Sequence, residues 1–213
     1  MVKMISRYTP LAVCSGNITN NIYSVDFGKL APSADVVEVT GASAATVFDY
    51  EKPIAIDAIY GACLSVVASD ASSSKITIDG FDYLGQPVTE EVTLNGTTAV
   101  AGNKCFKYIS KISVPASTAV TITITRKLKL GLPFRTVKIL AEERDGVVST
   151  TGQLVAPTTS ASTATSNDPR GTFNLATYAA AAHVVAVLVA SDEVFTINSE
   201  EVGGLFGIPQ YSA

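Results

Sequence analysis

Tryptophan is absent from this 213-residue chain, and histidine occurs once, at position 183. The first absence argues against a sugar-cleaving cleft or a base-stacking nucleic-acid platform, both of which use large aromatic faces. The second means that any Ser-His-Asp triad, Cys-His pair or His-based metal site has to use His183. That residue precedes a run of Val and Ala and reads as a core or interface side chain. Charge is also scarce: Asp, Glu, Lys and Arg make up 16% of the residues, against about 25% in ordinary soluble domains. No segment reaches the roughly 20 apolar residues that span a bilayer, and the longest candidate, Ala179 to Ala190, is shorter and interrupted by His183. The apolar run near the start, Leu11 to Cys14, is too short for a secretory leader, so synthesis and assembly in a cytoplasm are expected. Three cysteines, Cys14, Cys63 and Cys105, leave one over in any intramolecular pairing. Their wide spacing fits no zinc pattern, and they read as small buried side chains. No cofactor is expected. Phosphate-loop, dinucleotide, nucleophile-elbow and zinc-protease motifs are all missing.

What is present is β-rich. Lys75-Ile76-Thr77-Ile78-Asp79 alternates polar with apolar, and Asp82-Tyr83-Leu84-Gly85-Gln86-Pro87 interrupts it. Val88 to Leu94 resumes the pattern, Asn95-Gly96 breaks it, and Ile109, Ile112 and Val114 carry a third run. Strand, turn, strand, turn, strand is the simplest reading. Ala62 to Ala68 is almost unbroken apolar sequence, as in a strand covered on both faces. Ala119 to Lys129 is the clearest alternation, with Val120, Ile122, Ile124, Arg126 and Leu128 on one face. Val137 to Arg144 fits either a strand or a short helix, Leu175 to Ala182 fits a short helix, and His183 to Ala190 and Val194 to Ile197 are strands. The expected fold is all-β: an antiparallel β-sandwich, jelly-roll-like, with an extended N-terminal arm and a C-terminal segment. Residues 1–32 are the arm or an irregular first strand and 33–155 the main sandwich. Residues 156–167 are a Thr/Ser-rich linker, and 168–213 are strands completing the sandwich plus a tail.

Charge is unevenly distributed. Eleven acids and three lysines lie between Asp26 and Glu91, whereas Lys104 to Lys138 holds eight basic residues and no acid. Two readings follow. The basic stretch docks on an acidic partner, or acidic and basic strands pair inside one sheet. Net charge of −4 and the lack of a reader motif exclude nucleic acid as the expected partner. Asp79, Asp82, Glu90 and Glu91 flank one turn and are the only carboxylates grouped closely enough to suggest hydrolysis of a sugar bond. Without a convergent acid–base set, no enzymatic activity is expected.

One stretch resembles a segment common in tailed-bacteriophage virion proteins. There the pattern runs I-x-G-x-D-x-x-G-x-x-x-T-E-x-V, a Gly-rich turn, K-x-F and I-x-x-I. Here it falls on Ile78, Gly80, Asp82, Gly85, Thr89, Glu90, Val92, Lys104, Phe106, Ile109 and Ile112. Gly131-Leu132-Pro133-Phe134-Arg135, Asp168-Pro169-Arg170-Gly171-Thr172-Phe173 and Leu205 to Tyr211 also look like that group. The resemblance implies a virion structural protein without specifying its position. We expect a capsid decoration (cement) protein that binds the major capsid protein on the outside of the head, as a homo-oligomer with a trimer preferred by family analogy. Neck, tail or head-fibre components and a surface receptor- or carbohydrate-binding module, built on Phe81, Tyr83, Phe106 and Tyr108, are the alternatives. The residues expected to touch a partner are Lys104, Lys107, Lys111, Lys127, Lys129, Arg135, Phe206 and Tyr211. No membrane partner is expected.

Overall fold

The structure is a computed structural model describing residues 20–116, 119–149, 152–158, 162–175, 183–192, 194–197 and 200–203. Among these residues all regular structure is β. The strands are β1 (Asn20–Leu30), β2 (Ala34–Thr40), β3 (Thr46–Ala55), β4 (Ala62–Ala68), β5 (Lys75–Phe81), β6 (Pro87–Thr93), β7 (Val100–Phe106) and β8 (Tyr108–Val114). Then come β9 (Thr121–Gly131), β10 (Thr136–Arg144), β11 (Val147–Ser149), β12 (Gly152–Val155), β13 (Thr172–Leu175), β14 (His183–Asp192), β15 (Val194–Ile197) and β16 (Glu200–Gly203). They form three sheets and a separate β15–β16 hairpin. One sheet runs β1-β14-β10-β11, and a second β3-β8-β5-β6. A six-stranded sheet runs β12-β13-β9-β4-β7, with β2 also on β9. Every pairing of named strands is antiparallel.

The antiparallel all-β expectation is met, in three sheets rather than the two of a simple sandwich. The alternation in β5 and β6 does what its period predicts. Ile76, Ile78, Val88 and Val92 turn inward, while Lys75, Thr77 and Glu91 face outward or lie at the margin. The unbroken apolar run is β4, flanked by β7 and β9 and buried along nearly its whole length. The long alternating run is β9. On one edge it carries β2 against Thr121–Arg126 and β13 against Lys129–Gly131, and on the other it carries β4. Its inward face includes Ile122 and Ile124 and also Arg126, whose Nη2 reaches the carbonyl of Ala31 at 2.7 Å and that of Pro32. A single core cluster joins the sheets, with Val25 and Phe27 from β1, Leu64 and Val66 from β4, Ile78 from β5, Ile112 from β8, Phe173 from β13 and Val187 from β14.

Where the sequence reading left alternatives open, the structure selects one. Of the arm or irregular first strand, the described part is strand β1, paired with β14 from Asn20 to Leu30 with a break in register between Asp26 and Gly28. Residues 1–19 lie outside the described residues, as does most of the Leu175 to Ala182 helix candidate. The ambiguous Val137–Arg144 is a strand: Asp145 (φ 52°) and Gly146 (φ 81°) turn the chain straight back into β11. An Asp-Gly pair with both φ positive is the two-residue hairpin turn that suits sheet twist. The chain between Val100 and Val114 is two strands in different sheets. Between them stands Lys107, whose N–H donates to Phe81 O at 2.8 Å and whose Nζ donates to Ala58 O (2.8 Å) and Ile56 O (3.2 Å).

Gly80 is required where β5 meets β8. A Cβ there would stand 2.0 Å from the carbonyl oxygen of Tyr108, beside the break in register after Asp79. Both sides of that contact are backbone, so neither can swing away. We predict that Gly80→Ala destabilises the fold by roughly 2–4 kcal/mol, the upper range for overpacking strain, read as a lowered urea midpoint with unchanged slope.

Candidate functional site

Several residues of the quoted motifs converge inside the molecule. The β5–β6 turn is organised by Asp82: its Oδ1 accepts the N–H of Leu84 (2.9 Å) and Gln86 (2.8 Å), and Gly85 supplies the positive φ of 80°. This is the local reason for Asp and Gly at that spacing. The other oxygen, Oδ2, lies 2.9 Å from Arg170 Nη1, with both side chains at most 3% exposed. The contact is a charge pair rather than an aligned hydrogen bond. Arg170 also lies over the ring of Tyr83, 5.2 Å from its centroid, and the Tyr83 hydroxyl donates to Pro133 O at 2.5 Å.

Next to this pair runs the segment expected as a linker. Its described residues, 156–158 and 162–167, and the 168–171 that follow are bound to the body by a dense polar set. Lys104, fully buried on β7, donates from Nζ to Ser162 Oγ, to Ser166 Oγ (3.1 Å) and to Asn167 O (3.2 Å). Asp168 accepts the N–H of Cys105 (3.2 Å) and of Arg170 (2.9 Å), and its own N–H donates to Asn103 O at 3.2 Å. Glu91 N–H donates to Ala164 O at 2.9 Å. Arg135 Nη1 donates to Thr158 O (2.7 Å) and Pro169 O (3.2 Å). A segment of small polar residues has no periodicity to betray this; its carbonyls and hydroxyls serve buried cations.

Glu90 completes the cluster. It points inward from β6, 2% exposed, and its Oε1 accepts the N–H groups of Asn103 and Lys104, the latter at 3.2 Å. Its Oε2 has no hydrogen-bond partner among the described residues and lies against Gly102, where a Cβ would come within 2.5 Å. Burial lifts its pKa from 4.5 to about 7, against the opposing pull of the two backbone donors, Lys129 and Lys104. Burial likewise pushes the Lys104 ammonium down, opposed by Asp168 and Glu90.

The basic stretch is therefore largely spent internally. Lys104 and Arg135 were expected at a docking surface, but both are buried, because their charges answer oxygen atoms of the 156–171 segment. Lys107 holds the corner between β7 and β8. Lys129 Nζ donates to Gly102 O (3.0 Å) and Asn103 Oδ1 (3.3 Å). Lys111 pairs across β5–β8 with Asp79 at 2.9 Å, as acidic and basic strands pairing within a sheet should, and Lys75 pairs with Glu91 at 3.0 Å inside the acidic stretch. Lys127 is half-buried at a cavity of about 320 Å³. Phe206 and Tyr211 lie outside the described residues.

The four grouped carboxylates are likewise committed: Asp82 and Glu90 inside, Asp79 and Glu91 in surface ion pairs. Of the four candidate aromatics, Phe106 is in the core, Tyr83 packs edge-on to Tyr60, and Phe81 is half-buried opposite Tyr108, which is 39% exposed. His183 opens β14 and contacts Asp145 through Nδ1 at the β10–β11 turn. Among the described residues no three His, Cys, Asp or Glu are placed to hold a metal ion, and no helix is long and apolar enough to cross a membrane.

Sequence reasoning missed the surface that stands out. At the β10–β11 hairpin, Val147 is 68% and Val148 74% exposed, and Leu140 on β10 and Val184 on β14 are also exposed. Among the described residues β11 pairs only with β10, and no described strand lies on its outer edge. The Asp145-Gly146 pair followed by Val-Val was the available signal.

Two outcomes test the polar cluster. Arg170→Met strands Asp82 as a buried unpaired carboxylate and should cost about 3–5 kcal/mol, seen as a lower urea midpoint. Glu90 should make stability fall with pH. The folded chain keeps this proton between pH 4.5 and about 7, where the unfolded chain has released it. Its contribution is complete below pH 4.5 and is lost as pH rises through 7, a change of about 3 kcal/mol. Glu90→Gln should remove that component, so the wild-type-minus-variant stability difference should decline between pH 4.5 and 8.

Compared with known families, curated proteins and solved structures, the chain matches none.

Proposed function

We propose that this chain is a tailed-phage capsid decoration protein, a non-enzymatic binder of the major capsid protein on the outer surface of the head that bridges neighbouring capsomers. The observation that carries the reading is the exposed β10–β11 hairpin. Two adjacent valines more than two-thirds exposed, on an edge strand without the Lys or Pro that usually protects such an edge, suit a surface that is covered in an assembly. The motif resemblance points to the same class of protein. In this reading a shell subunit adds a strand to β11 and covers Val147 and Val148, the sheets stack as a jelly-roll-like sandwich, and many copies on one lattice make modest contacts sufficient. A trimer suits the threefold sites of an icosahedral shell. The basic stretch has a smaller part than its sequence suggests, with Lys138 exposed and Lys111 and Lys127 half-buried.

The deciding measurement is stoichiometry in purified virions, by quantitative mass spectrometry against the major capsid protein. About one copy per capsid subunit, or one trimer per threefold site, is the expected result. A few to a few dozen copies would move the chain to the neck, tail or fibres, and absence would overturn the structural reading. Val148→Asp should reduce particle binding about tenfold or more, while the thermal midpoint of the isolated chain stays the same, because the replaced side chain faces solvent.

A further inference from the structure

We infer that Cys63 and Cys105 form a redox site, a dithiol that a hydroperoxide oxidises to a cross-strand disulfide. The two residues are direct partners in the β4–β7 register. Their sulfurs stand 3.2 Å apart and both side chains are buried, 1% and 3% exposed. A disulfide needs an approach to about 2.0 Å, which small side-chain rotations supply without breaking the strand pairing. Both are free thiols in this structure.

The place in the fold gives the bond a consequence. β7 is the edge strand of the six-stranded sheet, and its pairing with β4 is interrupted immediately beyond the cysteines. Cys63 faces Cys105, but Ser65 faces Ala101, so Gly102, Asn103 and Lys104 bulge opposite Leu64. Those three residues are the ones that pack on Glu90, donate to it and hold the 162–168 segment. A covalent link at Cys105 fixes the edge strand beside the bulge.

Both sulfurs are nearly closed to solvent, and a place in a cavity wall marks Cys63 as the first to react. It lines the cavity of about 320 Å³ together with Gly102, Lys127, Lys129 and Asn174, whereas Cys105 does not. Burial pushes the Cys105 thiol up, which suits a resolving rather than an attacking group. The Cys63 thiolate attacks one peroxide oxygen. The O–O bond breaks, an S–O bond forms, and the hydroxide released takes the Cys63 proton as water. Cys105 sulfur then attacks the sulfenyl sulfur. The S–S bond forms as S–O breaks, and the departing hydroxide takes the Cys105 proton as a second water. Two thiols lose two electrons, and hydrogen peroxide becomes two waters. None of this depends on the capsid reading.

The test uses the full chain carrying Cys14→Ser, so that Cys63 and Cys105 are the remaining thiols, treated in its native state with hydrogen peroxide. Expected are loss of two hydrogens in the intact mass, a Cys63–Cys105 linked peptide on mapping, and a thermal midpoint raised by roughly 5–10 °C that reverts on reduction by a phosphine. Adding Cys105→Ser should leave a sulfenic acid on Cys63 that a cyclic dione traps. Alkylation of both cysteines undiminished after peroxide, sulfinic acid on Cys63 without a link, or a link that forms only in denaturant would each overturn the proposal.

Discussion

Burying the ammonium of Lys104 is the constraint around which the rest of this structure is arranged. A charge removed from water needs oxygen partners, and the neighbouring strands cannot supply enough because their carbonyls are used in the sheet. Ser162, Ser166 and Asn167 supply them instead. The segment bearing those residues must therefore lie across β7, and Asp168 is thereby delivered to the N–H of Cys105. Two residues later Arg170 meets Asp82 in the β5–β6 turn. Each charge in the set is satisfied by the placement of the next, so a stretch without regular structure becomes a defined part of the molecule.

The same cluster explains why the motif residues look functional in sequence. Gly, Asp, Thr-Glu, Lys and Asp-Pro-Arg-Gly at fixed spacing resemble chemistry, yet here they make a turn, a buried ion pair and a latch. Asp82 serves three neighbours at once, and Gly80 and Gly102 are small because a carbonyl and a carboxylate occupy the space of a side chain. Their role is architectural. At the periphery, the β10–β11 hairpin carries apolar side chains out of the core.

Charge followed both sequence readings in part. The acidic and basic stretches do meet within a sheet, through Asp79–Lys111, while Glu91–Lys75 is a pair inside the acidic stretch; both are surface pairs of small energetic worth. The strongest electrostatic contacts are elsewhere, between residues separated by 58 to 88 positions, such as Lys104 with Ser162 and Asp82 with Arg170. No local pattern encodes a contact of that span.

The sequence by itself determined the all-β character, the inward faces of β5, β6 and β9, the double burial of β4 and the position of the Asp82–Gln86 turn. Each of these follows from a period of two or from turn chemistry read over fewer than a dozen residues. Only the tertiary structure decided that Lys104 and Arg135 lie inside, that residues 162–171 close over them and that Cys63 faces Cys105. It alone also decided that β14 is inserted between β1 and β10. Those outcomes depend on which distant strands become neighbours. Pairing of that kind is settled by the shared core and by buried charges finding partners, neither of which a local window of sequence contains.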